Sequence, residues 1–314
     1  MAATTNAVRV HAFGGSDALK IEAVPLPDPK DDELVVKVMA ASINPVDFKI
    51  RNGTYPRVKA EHLPRTLGRD LSGIVETAGS ACGFKPGDAI YAFLGPDRGG
   101  NAERVLIKPN EAAAKPKSLD HVQAAAVPLA AITAWQGLFD VGGLEAGERV
   151  LIHAGNGGVG HFAVQFAKAK GAWVATTCSG VDREFVKDLG ADQVIDYRVE
   201  RFEEMVRPVD LVLDLVGGEA RARSWFVIKK GGRLASALGL SDADQAKATE
   251  AGVKAQMYVA KVSSGQLGEI ATLIDAGKVK VEVQDIFAFR DVARAQDKLE
   301  KEHTRGKIVL DLTR

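Results

Sequence analysis

The stretch Val150-Leu-Ile-His-Ala-Gly-Asn-Gly-Gly-Val-Gly160 limits what this chain can fold into more than any other. An apolar run stops in glycine and restarts as an amphipathic pattern, so a strand over 150–153 turns directly into a helix over about 159–170. Gly155, Gly157 and Gly160 satisfy G-x-G-x-x-G in that strand-to-helix context. The first glycine permits a tight turn, the second lets backbone approach a pyrophosphate, and the third lets the helix pack hard on its strand. The loop residues Gly155, Asn156, Gly157, Gly158, Val159 and Gly160 therefore read as a phosphate cradle. Free amides and a helix dipole of about half a positive charge face the anion. The alternative is a glycine-rich turn with no ligand.

The rest of the chain arranges itself around this loop. From residue 119 the texture is α/β: an alanine-rich helix over 124–138 precedes strands near 150–153, 173–177, 193–195, 210–215, 233–238 and 253–259, most of them separated by helices. In the helix after the loop, Val159, Phe162, Ala163, Phe166 and Ala167 share one face, with Lys168 and Lys170 outward. Six such units imply a doubly wound parallel sheet, closed by a helix over about 265–276.

The texture before residue 119 is different. Short strands over 8–13, 19–23, 34–42, 67–79, 84–93 and 99–107, punctuated by Gly14-Gly15-Ser16-Asp17, the proline-rich 24–29 and Pro86-Gly87-Asp88, suggest a partly closed β-barrel. Strands over 279–283 and 307–312, flanking a charged helix over 290–302, return to that texture. The expected organisation is a β-rich domain of residues 1–122 and 279–314 with an inserted dinucleotide domain of residues 123–278.

Bulk properties exclude several functions. The 41 Lys plus Arg offset 41 Asp plus Glu, so nothing favours nucleic acid or an anionic membrane, and a small-molecule partner is expected. Cys82 and Cys178 lie far apart with no C-x-x-C spacing, which points to a reducing compartment and away from a thiolate zinc site. No apolar run has the length of a membrane span, and residues 1–6 have neither a basic nor an apolar leader region. A cytoplasmic protein is expected.

The second strand of the α/β part ends in Thr176-Thr-Cys-Ser-Gly180, without the acid that binds the ribose 2′-hydroxyl of NAD. Ser179 and Arg183 are instead suited to a 2′-phosphate, which favours NADP. Two alternatives stand: Asp182 turned toward the ribose, and Arg183 as an exposed helix cation. In the β-rich part, Asn44 precedes Pro45 at a strand exit, either as a fixed polar group or as the cap of a turn over 45–48.

The pieces Ser42-Ile-Asn-Pro-Val-Asp47, Gly68-Arg-Asp-Leu-Ser-Gly73, Lys85-Pro-Gly-Asp88, Ala102-Glu103, Leu129-Ala-Ala-Ile-Thr-Ala-Trp135, Ala154-Gly-Asn-Gly-Gly-Val-Gly160, Leu189-Gly-Ala-Asp-Gln-Val-Ile-Asp-Tyr197 and Gly306-Lys-Ile-Val309 occur in one order over nearly the whole chain. In them the chain resembles the zinc-independent medium-chain dehydrogenase/reductases of the quinone oxidoreductase group. The resemblance implies a GroES-like catalytic domain built from both chain ends, an inserted NADP-binding Rossmann domain, a cleft separating them, and a homodimer formed through the Rossmann edge.

It also implies roles. Asn44 lies near the nicotinamide, Thr133 contacts the nicotinamide amide, and Tyr55 is an active-site tyrosine, against the alternative of an aromatic anchor in the plain loop Gly53-Thr-Tyr-Pro56. Ser179, Arg183 and Tyr197 belong to the 2′-phosphate group, while Val216, Gly217, Leu238 and Gly239 line the nicotinamide side. Zinc-binding relatives use a Cys and the His of Gly-His-Glu where this chain has Asn44 and Arg69, and an arginine does not ligate zinc. No metal is therefore expected, and His153 and His161 are assigned to packing or hydrogen bonding.

Chemistry without a Lewis acid is hydride transfer from NADPH to an acceptor that is already electrophilic, a quinone or an α,β-unsaturated carbonyl, with Asn44 and Tyr55 polarising its oxygen. A 2-alkenal or enone double-bond reductase is the rival enzyme. A low-turnover NADP-binding protein with a structural or redox-sensing role is the rival of another class.

Overall fold

The computed structural model describes residues 3–314. It divides into two units, one of residues 3–129, 261–276 and 281–314, the other of residues 130–260 and 277–280.

In the second unit six parallel strands form one sheet in the spatial order Gln193–Asp196, Trp173–Cys178, Arg149–Ile152, Val209–Asp214, Ile228–Ser236 and Lys254–Met257. In chain order within the unit this is 3-2-1-4-5-6, the doubly wound Rossmann arrangement. The strand Arg149–Ile152 sits where the order reverses, pairing with Trp173–Cys178 on one side and Val209–Asp214 on the other. A strand flanked on both edges in a parallel sheet is covered on both faces, so Val150, Leu151 and Ile152 are fully buried. Each contributes roughly 1.5–3 kcal/mol by the usual transfer energies.

The helix Gly160–Ala169 follows, and it is buried more completely than a one-face pattern predicts. His161, Val164 and Gln165 are inside along with Phe162, Ala163 and Phe166. Gln165 explains part of this: its side chain donates to the carbonyl of Lys280 and accepts from the amide of Lys280, fastening the returning segment 277–280 to this unit.

The alanine-rich stretch expected as one helix over 124–138 is broken. A short helix His121–Ala125, capped by the Asp120 carboxylate on the Gln123 amide, ends before Pro128, and a second helix starts at Pro128 and runs to Trp135. Proline lacks the amide and its ring collides with the preceding turn, so it starts a helix well and continues one badly. A wider π turn over Gln136–Val141 completes the segment.

In the first unit the strand Leu34–Ile43 is the hub of a seven-stranded sheet. It pairs antiparallel with Lys307–Asp311, Asp70–Ala78 and Arg104–Ile107. Its two faces enter different clusters, Leu34, Val36 and Val38 packing with Leu71, Val75, Ile90 and Ile107, and Ile43 with Val8, Ile308 and Leu310. A second, three-stranded sheet joins Thr4–Val10 to Leu19–Pro25 and Arg65–Thr66. The architecture is the GroES-like barrel with a Rossmann sheet inserted.

Three details depart from the sequence expectation. The late strand is Val283–Ala288, not 279–283, because the segment 277–280 is held by Gln165. Only Arg104–Ile107 of the run 99–107 is a strand, residues before it making a single bridge at Ala102. The helix Ser264–Asp275, expected to close the parallel sheet, belongs to the barrel unit, where its Leu267 carbonyl accepts the Tyr91 hydroxyl and its Asp275 carboxylate accepts the amides of Lys117 and Ser118.

Candidate functional site

The glycine loop leaves the strand Arg149–Ile152 through Ala154, which takes a left-handed conformation at φ +56°. Two of its glycines are fixed by crowding. A Cβ on Gly155 would lie 2.0 Å from Thr176 Oγ1, and one on Gly160 would lie 1.9 Å from the Ala154 carbonyl oxygen. Gly157 is different: its nearest neighbour would be 3.4 Å away, so its bare backbone serves an approach from outside the chain. The amides of Gly155 and Gly157 are spent on the carbonyls of Thr177 and Ala154. Those of Asn156, Gly158 and Val159 remain as donors at the start of a ten-residue helix. This is the cradle that a pyrophosphate requires, and the residues fit a dinucleotide.

Behind the loop, His153 bridges Thr177 Oγ1 at 3.3 Å and Ser224 Oγ at 2.8 Å and meets the Phe202 ring edge-on. Burial pushes this imidazole down to about 4, against the pull of Asp214, so it is neutral and acts in packing and hydrogen bonding.

The carboxyl ends of the next strands carry a buried charge cluster that no sequence spacing announced. Asp214 accepts from the amides of Val216 (3.1 Å) and Gly217 (2.7 Å), from Arg221 Nε (2.6 Å) and from Ser236 Oγ (2.9 Å). Arg221 continues to the Gly239 carbonyl and to Asp244. Burial works to raise the Asp214 carboxyl, but the Gly217 amide, Arg221 and the Val216 amide outweigh it and hold the group below the usual carboxylate range. The cluster thereby fixes the loops of Val216, Gly217, Leu238 and Gly239, the four positions the sequence assigned to the nicotinamide side. Thr133, on the helix Pro128–Trp135, is tied to the same unit through its carbonyl, which accepts the Tyr258 hydroxyl at 2.9 Å.

Ser179 and Arg183 do not converge. Ser179 Oγ donates to Asp182 at 2.9 Å, and Asn156 Nδ2 donates to the same carboxylate oxygen at 2.8 Å. Arg183 opens the helix Arg183–Asp188 and turns toward the neighbouring strand, donating to the Val194 carbonyl at 3.0 Å and to Glu200 at 2.7 Å. Ser179 and Arg183 therefore bond to different partners in this structure. Tyr197 is exposed at the end of the strand Gln193–Asp196, with Arg198 beside its ring.

The barrel unit holds a second buried cluster at the exit of the strand Leu34–Ile43. Asn44 is 3% exposed, and its side chain is engaged at both ends: Nδ2 donates to Asp70 at 2.9 Å, and Oδ1 accepts from Lys307 Nζ. Asp70 also accepts from Ser42 Oγ (2.7 Å) and from the Leu129 amide (2.6 Å). Asp47 accepts from the amides of Asn44 (2.7 Å) and Gly68 (3.1 Å), so the cap of the helix Pro45–Arg51 is the aspartate bonding back to Asn44. Lys307 additionally donates to the Ile43 carbonyl and lies 3.9 Å from Asp70. One ammonium thus faces two buried carboxylates. Burial pushes Asp47 up to about 6, with Asp70 adding to the rise and the two amides opposing it. Burial likewise raises Asp70 and lowers Lys307. Asn44 is therefore the centre of a polar network at the strand exit, where the sequence left it as either a fixed polar group or a cap.

Tyr55 packs its ring among Val10, Ile50, Val58 and Leu67. Arg69 donates to the Leu94 carbonyl at 2.8 Å and lies over the Phe93 ring. Neither an arginine so committed nor the Asn44 amide is a zinc ligand set.

Comparison with known proteins agrees with this construction. A family model described as alcohol dehydrogenase GroES-like domain matches residues 30–117, and one described as zinc-binding dehydrogenase matches residues 189–310. The human mitochondrial NAD(P)H oxidoreductase RTN4IP1 is 37% identical, covering 90% of this chain and 82% of its own length. The chloroplastic NADPH-dependent alkenal/one oxidoreductase of Arabidopsis thaliana is 37% identical over 95% of this chain and 77% of its own. Among solved structures, the quinone oxidoreductase from Coxiella burnetii superposes with a TM-score of 0.92 at 35% identity, covering 99% of this chain and all of that one.

Proposed function

The chain belongs to the quinone oxidoreductase group of the medium-chain dehydrogenase/reductase family, and from that premise we propose that it transfers a hydride, without zinc, to a quinone or another conjugated carbonyl. It is an NAD(P)H-dependent oxidoreductase. The observation that carries the zinc-free reading is the donor set. An asparagine amide locked between Lys307 and Asp70, and an arginine bound to a backbone carbonyl, stand where a zinc enzyme needs a thiolate and an imidazole.

The dinucleotide, when bound, supplies the hydride. The amides of Asn156, Gly158 and Val159 hold its pyrophosphate, and the loops of Val216, Gly217, Leu238 and Gly239, with Thr133, hold its nicotinamide end. In the barrel unit Tyr55 supplies the hydroxyl for the acceptor oxygen that gains charge. Asn44 acts as a positioning residue, its amide held in one orientation by a cation and an anion. A preference for electrophilic acceptors follows, since no Lewis acid polarises the carbonyl. The name of the Arabidopsis thaliana relative favours a second reading, reduction of the double bond of short conjugated enals and enones.

The test follows NADPH oxidation against naphthoquinones, phenanthrenequinone and 2-alkenals with EDTA present. Turnover of either class unaffected by EDTA supports the reading, and activity abolished by EDTA sinks its zinc-free part. Asn44→Ala should lower kcat at least tenfold with NADPH affinity within about twofold; loss of NADPH binding alone would refute the role given.

A homodimer is supported by the edge strand Lys254–Met257, which pairs on one side only and carries exposed Met257, with exposed Val259 just beyond, and light scattering checks it. A cytoplasmic location is supported by two buried free thiols and checked by fractionation, the relatives' names giving mitochondrial and chloroplastic sites. Among the described residues no helix is long and apolar enough to cross a membrane.

A further inference from the structure

The corner after the second strand of the parallel sheet is built around a carboxylate. The strand ends at Cys178, Ser179 follows, and a single turn over Gly180–Asp182 brings the Asp182 side chain back against the glycine loop. One oxygen, Oδ2, collects both protein donors, Ser179 Oγ at 2.9 Å and Asn156 Nδ2 at 2.8 Å. The other, Oδ1, has no hydrogen bond from the described residues. Ser179 and Asn156, two side chains at the loop suited to donate to a 2′-phosphate, are thus already donating to an acid.

The charges around this corner are also unfavourable to a dianion. Arg183 is taken by Glu200 and the Val194 carbonyl. Asp196 packs its carboxylate against Gly180, and Glu200 accepts the Asp196 amide at 2.6 Å. The Cys178 thiol at the strand end registers the same field: burial pushes it up to about 11, with Asp182, Asp196 and Glu200 adding to the rise and Arg183 alone opposing. Three carboxylates and one guanidinium, that of Arg183, thus act on this thiol. A ribose hydroxyl is a donor and matches a carboxylate oxygen, whereas a 2′-phosphate carries about −1.5 to −2 charge and is repelled by it.

We propose that Asp182 sets the dinucleotide preference of this chain by accepting a ribose hydroxyl through Oδ1 and opposing the 2′-phosphate, so that NAD(H) is used alongside NADP(H). This rests on the dinucleotide reading above. It differs from the sequence expectation, in which Ser179 and Arg183 select NADP.

The experiment is calorimetric titration of the full chain with NAD+, NADP+, 5′-AMP and 2′,5′-ADP, which reads binding apart from turnover. Wild type should bind NAD+ and NADP+ within about tenfold of each other. Asp182→Asn keeps the size and one acceptor oxygen, and should tighten NADP+ and 2′,5′-ADP about tenfold while weakening NAD+ no more than about threefold. Arg183→Ala should change NADP+ affinity less than twofold, and Glu200→Gln, which releases Arg183, should tighten it. An unchanged NADP+ affinity in Asp182→Asn overturns the proposal, as does a tenfold loss in Arg183→Ala, which would make Arg183 the phosphate ligand. Wild type binding NADP+ more than a hundredfold tighter than NAD+ overturns it too. Binding of none of the four probes would instead overturn the dinucleotide reading itself, and this proposal with it.

Discussion

Each unit buries a cluster of charges at the end of a strand, and the two clusters titrate in opposite directions. In the parallel-sheet unit Asp214 receives four donors, one of them a guanidinium nitrogen at 2.6 Å, and is held below the usual carboxylate range. In the barrel unit Asp47 receives two backbone amides, Asp70 shares the one ammonium of Lys307 at 3.9 Å, and both carboxyls are pushed up. Burial is similar in the two places. The difference lies in charge balance: Asp214 has a guanidinium on its own oxygen, whereas Asp47 and Asp70 share one ammonium, and the donors of Ser42, Asn44 and Leu129 on Asp70 do not repay the loss of water. The first cluster is a lock for loops. The second crowds two carboxyls around one cation beside Asn44.

Removing each cation breaks the comparison most severely. Lys307→Met leaves Asp47 and Asp70 buried without a counter-charge and should cost about 3–5 kcal/mol at pH 7.5 by urea denaturation. The loss should shrink below pH 6, because carboxyls already pushed up take protons readily once the ammonium is gone. Arg221→Met should cost a similar amount, about 3–5 kcal/mol, but with less recovery between pH 7.5 and 5, since the Val216 and Gly217 amides and Ser236 still bond Asp214 once the guanidinium is gone. Equal pH behaviour of the two variants would mean that the clusters are not different in kind.

A smaller effect separates the carboxylates themselves. Asp47 binds its proton more tightly folded than unfolded, its pKa rising from 3.8 to about 6. Its contribution to stability is therefore complete below pH 3.8 and lost as the pH rises through 6, a change on the order of 2–3 kcal/mol. Asp214 has the opposite sign: its lowered pKa gives stability that is present above pH 3.8 and is lost as the pH falls below that value. The margin of wild type over Asp47→Asn should narrow from pH 4 to 7.5. The margin over Asp214→Asn should hold throughout that range, and parallel slopes for the two would refute the assignment.

How much of this could be read in the residues depended on distance along the chain. The strand 150–153, its glycine loop and the helix behind it are encoded within twenty residues, and the structure places them nearly where the pattern does. The α/β alternation is equally local. The helix break at Pro128 was legible in principle, since a proline after an alanine run starts a new helix, but apolar spacing alone concealed it. The clusters were not legible. Lys307 meets Asn44 across 263 positions, and Arg221 meets Asp214 and Ser236 from a different element, so no periodicity records either contact. Asp47, Asp70 and Lys307 all stand inside family motifs, yet those motifs say nothing about which of them touch. The corner at Asp182 is similar: Ser179 and Asn156 meet its carboxylate while Arg183 bonds Glu200 and the Val194 carbonyl, contacts that spacing alone does not spell out.

The smallest expected effect tests whether the lock in the parallel-sheet unit extends to its rim. Asp244, the outer partner of Arg221 at 3.0 Å, is itself positioned by Ser241, which caps the helix Asp242–Ala251. Ser241 Oγ accepts the Asp244 amide at 3.2 Å and donates to its carboxylate at 2.8 Å. Ser241→Ala removes both bonds and should cost about 1 kcal/mol, the usual value for an N-cap. If Asp244 belongs to the lock, Ser241→Ala and Arg221→Met will be less than additive in a double-mutant cycle, with a coupling of about 0.5 kcal/mol or more. Full additivity would confine the lock to Asp214, Arg221 and Ser236, and would leave Ser241 as a helix cap alone.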